Sequence, residues 1–537
     1  MFHEQFLIVL TLLFAVFILI MLGQKLKISY PIFLVLSGLA ISFIPGMPRI
    51  EIEPEMIFLL FLPPLLYEAA WYTSWNDFWK WRRPIGMLAF GLVFLTSTIV
   101  AFVSTAMIPG FTLALGFLLG GVISPPDAVA AGSVLKNVKI PKRLIAVLEG
   151  ESLINDASSL IVFRFALAAV LSGYFSMGQA VGSFFLVAGM GIVVGLAIAH
   201  VMYVVHRFLP TTPSIDAALT LMTPYIMYIA AEQFHFSGVM AVVSGGLFLS
   251  YRSHELFTTG NSRLQAISVW ATVVFILNGL VFILIGLELP VIMSDMGGYS
   301  IAEAIQYGLV ISLISILIRI LYVLPIAYVP KWLGNTKRMD PKNPLWKGPL
   351  IVGWAGMRGV VSLASALSIP LLLTNGRVFP HRSLILFITF VVILVTLVFQ
   401  GLTLPLLIKW IKIKDTGDFL PDEEQEAGIQ LRLMNVAVKI IDEKYTAEAR
   451  DNELVGFLKD QLSNDISIMG QRLESLECDD LKRSEVEKYN SILLDIYAVQ
   501  RQELHIIRGE KFYSDEEIRK QESQLDLDET KILKAGH

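Results

Sequence analysis

Through residue 414 the chain alternates apolar stretches of roughly 16 to 31 residues with short polar or charged breaks. A bilayer core of about 30 Å needs about 20 apolar residues per helix, so each stretch predicts a membrane span. Thirteen are counted, at roughly 6–23, 30–47, 56–74, 84–108, 112–136, 143–171, 180–206, 214–232, 236–251, 264–290, 300–330, 348–373 and 383–411. The first has no Lys or Arg ahead of it and exceeds a usual signal core, which predicts a retained helix. Alternating the sides of thirteen spans collects 20 lysines and arginines on one face, among them Lys25, Lys80, Lys136 to Arg143, Arg252 and Lys331 to Lys347. Only Arg49, Arg377 and Arg382 fall on the other. The positive-inside rule then predicts an outside N-terminus and a cytoplasmic C-terminal tail.

Past Lys414 the apolar runs stop and the charge inverts. Residues 1–414 carry +9 and residues 415–537 carry −13, predicting a transmembrane domain followed by an acidic soluble one. Overall the chain is 55% hydrophobic and only 16% charged, which excludes a basic nucleic-acid binder. In the tail, Leu454, Phe457, Leu458, Leu462, Ile466, Met469, Leu473 and Leu476 recur at helical spacings, and a second amphipathic segment runs from Glu485 to Arg508. Gly509 and then Ser514-Asp515-Glu516-Glu517 predict a stop and a new start. A small helical cytoplasmic domain follows. The single cysteine, Cys478, excludes an intrachain disulfide and a multi-cysteine metal site. Without a GxxxxGK[ST] phosphate loop or an HExxH zinc motif, neither ATP use nor zinc hydrolysis is expected, and the chain predicts neither an enzyme nor a resident cofactor.

Ionisable residues inside apolar spans cost several kcal/mol each and need a partner, a water cavity or a function. At 1.5 Å per helical residue, Asp156 lies roughly 20 Å from Arg143, Asp127 about 14 Å from Lys136, Arg358 about 17 Å from Lys347 and Glu68 about 18 Å from Lys80. Four helices thus bring charge to one midplane layer. In Glu149-Gly-Glu151-Ser152-Leu-Ile-Asn155-Asp156-Ala-Ser-Ser, the pairs Glu151/Asn155 and Ser152/Asp156 each stand at i,i+4 and share one helix face. Their oxygens suit a hard cation such as Na⁺, and a buried carboxylate without a fixed cationic partner can alternate between a proton and that ion.

A second span carries Gly120-Gly121-Val-Ile-Ser124-Pro125-Pro126-Asp127. The proline pair removes amide donors and disfavours helix before it, which predicts an unwound break just ahead of Asp127 that lines a cavity. Its plausible mirror is Gly353-Trp-Ala-Gly356-Met357-Arg358-Gly359, seven spans later. Spans 4 to 6 and 11 to 13 then form an inverted repeat with discontinuous helices, an arrangement of secondary transporters. Arg358 stays protonated at such a depth and calls for a buried acid.

On these residues the chain resembles the cation/proton antiporter-1 family, the sodium/proton exchangers, and specifically their bacterial branch. The marks are Glu151-Ser152-Leu153-Ile154-Asn155-Asp156, the Pro126-Asp127 break, Phe61-Leu-Pro63-Pro64-Leu-Leu-Tyr67-Glu68, Gly286-Leu287-Glu288-Leu289 and Gly356-Met357-Arg358-Gly359, and the match spans about residues 5 to 414. The resemblance implies a homodimer of all-α polytopic membrane subunits with crossing discontinuous helices and a mobile six-helix core. It implies that Asp156 exchanges Na⁺ for H⁺, with Asp127, Ser152 and Glu68 as nearby ligands. Asn155 would orient the site, and Glu151 would pair with Arg358. Many relatives carry Thr where this chain has Pro126, so only the Pro126 carbonyl is offered there. Tail segments Tyr513-Ser514-Asp515-Glu516-Glu517 and Leu525-Asp526-Leu527-Asp528-Glu529 resemble the bacterial members too.

The expected function is electroneutral Na⁺/H⁺ antiport by alternating access in a bacterial plasma membrane, serving pH and sodium homeostasis, with K⁺ or Li⁺ as alternative cations. The partners are lipid, cations, protons and a second copy of the chain, and not nucleic acid. A cation channel is the competing class, although a channel favours a continuous pore and a repeated filter sequence. An intramembrane hydrolase using Asp127 and Asp156 as a dyad is third. Arg164 and Arg319 are expected to be packing or interfacial residues, and His206 and His254 solvated surface histidines in preference to pH sensors.

Overall fold

The computed structural model describes residues 2–44, 58–135, 138, 140–173, 177–257, 259–294, 299–332, 346–373, 376–413, 422–477, 480–510, 518, 521–522 and 524–529. The tail motif 513–517 and Cys478 lie outside the described residues. The chain divides into two compact units, Met1–Thr416 and Gly417–His537. Both are helical. Among the described residues the β-pairing is one isolated bridge, Leu372 to Val378.

The helices of the first unit are α1 (Phe2–Lys25), α2 (Tyr30–Ser42), α3 (Leu62–Tyr72), α4 (Val93–Met107), α5 (Leu113–Ile123), α6 (Ala128–Leu135), α7 (Lys142–Ser172), α8 (Met177–Phe208), α9 (Pro213–Gln233), α10 (Gly238–Tyr251) and α11 (Gly260–Leu287). They continue as α12 (Ile301–Trp332), α13 (Lys347–Trp354), α14 (Val360–Leu367), α15 (Arg382–Leu394) and α16 (Gly401–Ile411). The π-helical stretch Met87–Leu92 runs into α4, and Val395–Gln400 joins α15 to α16. Nine helices among the described residues are long and apolar enough to cross a membrane. Tyr30–Ser42, Phe58–Tyr72 and Gly238–Tyr251 are apolar but shorter, and the stretch expected at 348–373 is divided between α13 and α14, so length alone does not establish thirteen crossings.

Helix starts follow their sequences. Pro31, Pro63 with Pro64, and Pro213 occupy first turns, where a missing amide hydrogen costs nothing. Thr112, Thr212, Ser237 and Thr259 accept an amide from the third residue on, satisfying donors where the backbone leaves the apolar layer.

The helices pack in two sets. In one, α4 lies on α5 and α12, α5 on α7, and α15 on α12 and α14; in the other, α2 lies on α11, α8 on α10, and α10 on α3 and α9. Lipid offers no hydrophobic drive between helices, so close backbone contact through small residues matters. At Gly116 and Gly120 of α5 a Cβ would strike the backbone of Ala101 and Ser97 on α4. The sets meet where α7 touches α3 and α10, through a cluster that includes Leu66, Leu153, Ala157, Leu160 and Val239, and where α2 and α11 touch α6 and α14.

In the second unit, α17 (Asp422–Lys444), α18 (Glu453–Glu477) and α19 (Asp480–Glu510) follow in order. The last two coincide with the expected amphipathic segments. The first was not anticipated; it packs on α18, where Lys459 reaches Asp442 at 2.7 Å.

Candidate functional site

Two interrupted helices define the centre of the first unit. α5 ends at Ile123, ahead of Pro125 and Pro126, and the chain turns helical again at Ala128; α13 ends at Trp354 and α14 begins at Val360. The breaks are bonded to each other, since the Asp127 amide donates to the Met357 carbonyl at 2.7 Å. Four helix ends therefore converge, two amino and two carboxyl, and backbone groups that hydrocarbon would strand find partners across the crossing.

Charge is distributed to match. The Asp127 carboxylate accepts the amides of Val129 at 2.8 Å and Ala130 at 3.4 Å in the first turn of α6, and a further bond from the Val360 amide that starts α14. It thus caps both amino ends, where a negative charge is stabilised by about 0.3–2 kcal/mol. Arg358 serves the opposite ends. Its Nε donates to the Ile123 carbonyl at 3.1 Å, its Nη1 to the Gly356 carbonyl, and its amide to Thr396 Oγ1 at 3.1 Å in the π-helical stretch. This corrects the expected pairing of Arg358 with Glu151: the guanidinium is held by the carbonyls of two carboxyl-terminal helix ends.

Glu151 has a different partner. Both of its oxygens are taken by Arg319 of α12, at 2.5 and 2.8 Å, and Arg319 Nε also donates to the Val352 carbonyl at 3.1 Å. Expected as a packing residue, Arg319 is 1% exposed and ties α7 to α12 and α13. The fork-shaped guanidinium satisfies both carboxylate oxygens at once, which the carbonyl-bound Arg358 does not. Arg319 and Thr396 are residues that the sequence reading missed or misjudged.

The remaining oxygens of α7 face the break. Asn155 Nδ2 donates to the Pro126 carbonyl at 3.2 Å, and Ser152 Oγ accepts the Ala128 amide at 3.2 Å while lying 3.5 Å from the same carbonyl. The Pro126 carbonyl, expected as an ion ligand, is thus already engaged. The second Asn155 atom, Oδ1, is buried and without a hydrogen-bond partner among the described residues. Asp156 follows, 7% exposed. Among the described residues no hydrogen bond or ion pair reaches its carboxylate, which lies within electrostatic reach of Asp127. Ser152 and Asn155 bond the backbone of Pro126 and Ala128 on either side of Asp127, with Asp156 on the same helix as Ser152 and Asn155. Glu68 lines a cavity of about 180 Å³ with Tyr67, Trp71, Trp270 and Arg263. Tyr30, a further residue that the sequence reading passed over, sits within electrostatic reach of both Asp127 and Glu68.

Gly359 makes the crossing sterically possible, because a Cβ there would collide with Asp127 Oδ2. Gly359→Ala is expected to lower the exchange anticipated from the sequence at least tenfold and to cost about 1–3 kcal/mol of stability, the range for overpacking. Flux in proteoliposomes and thermal unfolding in detergent measure both; parental values for the variant would show that the carboxylate is not seated between the two helix starts.

One histidine also departs from expectation. His206 is 1% exposed and its Nδ1 lies 2.9 Å from Asp216 Oδ1, joining α8 to α9 below the turn between them, so it is not a solvated surface group. His254, with a side chain 67% exposed, is one.

A family model described as "Sodium/hydrogen exchanger, transmembrane" matches residues 10–410. The chain belongs to the sodium/hydrogen exchanger family. Relatives of this exchanger-family chain include a protein of Bacillus pumilus named a sodium, potassium, lithium and rubidium/H(+) antiporter, 35% identical over 80% of the chain and 64% of its own length. An uncharacterized Na(+)/H(+) exchanger of Mycobacterium tuberculosis is 30% identical over 98% of the chain and 96% of its own. The Na(+)/H(+) antiporter ApNhaP of Aphanothece halophytica is 30% identical over 76% and 74%. The chain spans only about three-fifths of the length of the Bacillus relatives, at 64% and 61%. A solved structure of the sodium proton antiporter MjNhaP1 from Methanocaldococcus jannaschii superposes with a TM-score of 0.58 and 19% identity, covering 75% of this chain and 97% of that one. The exchanger-family fold expected from the sequence is therefore the observed one. The family is one of multi-pass membrane transporters and not of enzymes.

Proposed function

We propose that the protein is a secondary-active cation/proton antiporter that exchanges one Na⁺ for one H⁺ at Asp156 by alternating access. The observation that carries this reading is the Asp156 carboxylate itself, buried at mid-span with no donor or cation upon it among the described residues, beside a crossing whose own charges are satisfied. Such a group is available to a proton or a hard cation in turn. Asp127, the Ser152 hydroxyl and Asn155 Oδ1, without a partner among the described residues, supply further oxygens, and Glu68 lines a cavity between α3, α9 and α11. The substrate range extends to K⁺ and Li⁺, in line with the names of the Bacillus relatives. The protein acts as a homodimer in a bacterial plasma membrane, with its N-terminus outside and its tail in the cytoplasm, and serves pH and sodium homeostasis. The cation-rich loops on one face support the orientation.

Asn155 stands where a second adjacent carboxylate would take a second proton. With Glu151 held by Arg319 and Asp127 held at two helix starts, one titrating group carries one charge either way. ΔpH-driven Na⁺ uptake into proteoliposomes should then be insensitive to a potential set with K⁺ and valinomycin, and a reversal point that moves with potential would refute electroneutrality. Because H⁺ and Na⁺ compete for one carboxylate, the apparent KM for Na⁺ should rise about tenfold per pH unit on the acid limb. The same vesicles, offered Na⁺, Li⁺ and K⁺ separately, test the reading as a whole: proton movement coupled to none of them would sink it.

A further inference from the structure

Arg164 and Glu232 take no part in the crossing, yet they join the two helix sets. Arg164 lies two turns beyond Asp156 on α7, about 12 Å along the axis. Its Nη2 donates to both Glu232 oxygens at 2.8 Å, and Glu232 Oε1 also accepts the Gly238 amide at 3.1 Å. One carboxylate thereby fixes the end of α9, the start of α10 and the helix that carries Asp156. Beneath the pair, Leu160 of α7 packs in the same apolar cluster as Val239 of α10. At this end the ion pair and the apolar cluster cover α7 where it meets α9 and α10.

The opposite end is hollow. Because α10 runs from Gly238 to Tyr251, the turn that follows it lies at the other end of the bundle from the Glu232–Gly238 connection. There Ser253 and Arg263 line the cavity that also holds Glu68, Tyr67 and Trp270. An ion pair therefore ties α7 to α9 and α10 at one end, while the cavity at the other end lies between α3, α9 and α11. The side chains of Arg164 and Glu232 are 44% and 29% exposed, and a pair so exposed is a weak contact that forms and breaks readily. That property suits a contact that must part once in every cycle and suits a permanent structural bond poorly.

We infer that Arg164 is a positioning residue for exchange: its ion pair with Glu232 closes the α9–α10 end of the bundle and must open for Asp156 to face that side. The inference rests on the antiport reading. Neutralising either partner favours the conformation open at the α9–α10 end. The apparent KM for Na⁺ should consequently fall on that face and rise on the other, a split that general destabilisation would not produce.

The test uses full-length protein in oriented vesicles, with Cys478→Ser and Leu160→Cys as the parental background. A membrane-impermeant maleimide applied to the α9–α10 face should label Cys-substituted position 160 about fivefold faster in Arg164→Gln and in Glu232→Gln than in the parent, a factor within the reach of a half-exposed ion pair. Arg164→Lys, which keeps the charge, should label at nearly the parental rate, and the charge-swapped Arg164→Glu with Glu232→Arg should return towards it. Unchanged labelling in both neutral variants overturns the inference. So does a charge-swapped variant as fast as the singles, because the effect would then belong to lost packing. Labelling needs no transport, so a parent that shows the labelling pattern without cation-coupled flux would refute the antiport reading and leave the latch standing.

Discussion

Asp156→Asn is expected to abolish Na⁺-driven proton flux in proteoliposomes while leaving the protein folded. The amide matches the carboxylate in shape but neither ionises nor carries an exchangeable proton. Its stability should equal or exceed that of the parent, because among the described residues no protein group donates to the Asp156 carboxylate and none is stranded when its charge is removed. Asp127→Asn should differ in this respect. Its carboxylate accepts the Val129 and Ala130 amides, so neutralisation should weaken the seating of both helix starts by about 1–2 kcal/mol as well as impairing exchange. Unimpaired flux in purified Asp156→Asn would remove the centre of the account; equal destabilisation by the two changes would show that Asp156 has a structural partner.

The second large effect is structural. Glu151→Gln or Arg319→Gln alone should cost about 3–5 kcal/mol, since each leaves one member of a buried, doubly bonded pair uncompensated, whereas the double change should cost far less than the sum. Thermal unfolding of the two singles and the double gives the coupling directly. The matching cycle between Glu151 and Arg358 should show a smaller coupling, because Arg358 is bound to carbonyls of residues 123 and 356 and would not be released by loss of the acid. A larger coupling for Glu151 with Arg358 than with Arg319 would reverse the assignment of partners.

The contrast between those two arginines shows what was legible in advance. Pro125 and Pro126 announce a broken helix because proline's chemistry is local, and the glycines around Arg358 announce the second break for the same reason. The i,i+4 spacing along 151–156 is likewise local and places Ser152 and Asn155 on the face that meets the break. Partner choice is not local. Arg319 is an isolated cation in an apolar helix, 168 residues from the acid it binds, and no pattern along the chain points from one to the other. Arg358 is satisfied by backbone carbonyls, which every residue owns and no residue type advertises. The burial of His206 depends on Asp216 reaching it across the α8–α9 turn, and that geometry follows from how the two helices lie and not from either residue. α17 was overlooked because its apolar positions are interspersed with charge, and its packing on α18 supplies what its own periodicity does not.

The way the crossing neutralises itself bears on how tightly the two fluxes are coupled. Arg358 answers to helix carboxyl ends, Asp127 to helix amino ends, and Glu151 to Arg319. In the proposed exchange, Asp156 is then the one carboxylate of this group whose charge depends on cargo. With a proton or a sodium ion aboard, the moving set is locally neutral; empty, it would drag a bare carboxylate across the apolar seam between the helix sets, against a penalty of several kcal/mol. No separate interlock is needed to forbid an unloaded return stroke. On that proposal leak is suppressed by solvation energy, and a substitution that placed a permanent cation beside Asp156 should turn coupled exchange into slipping.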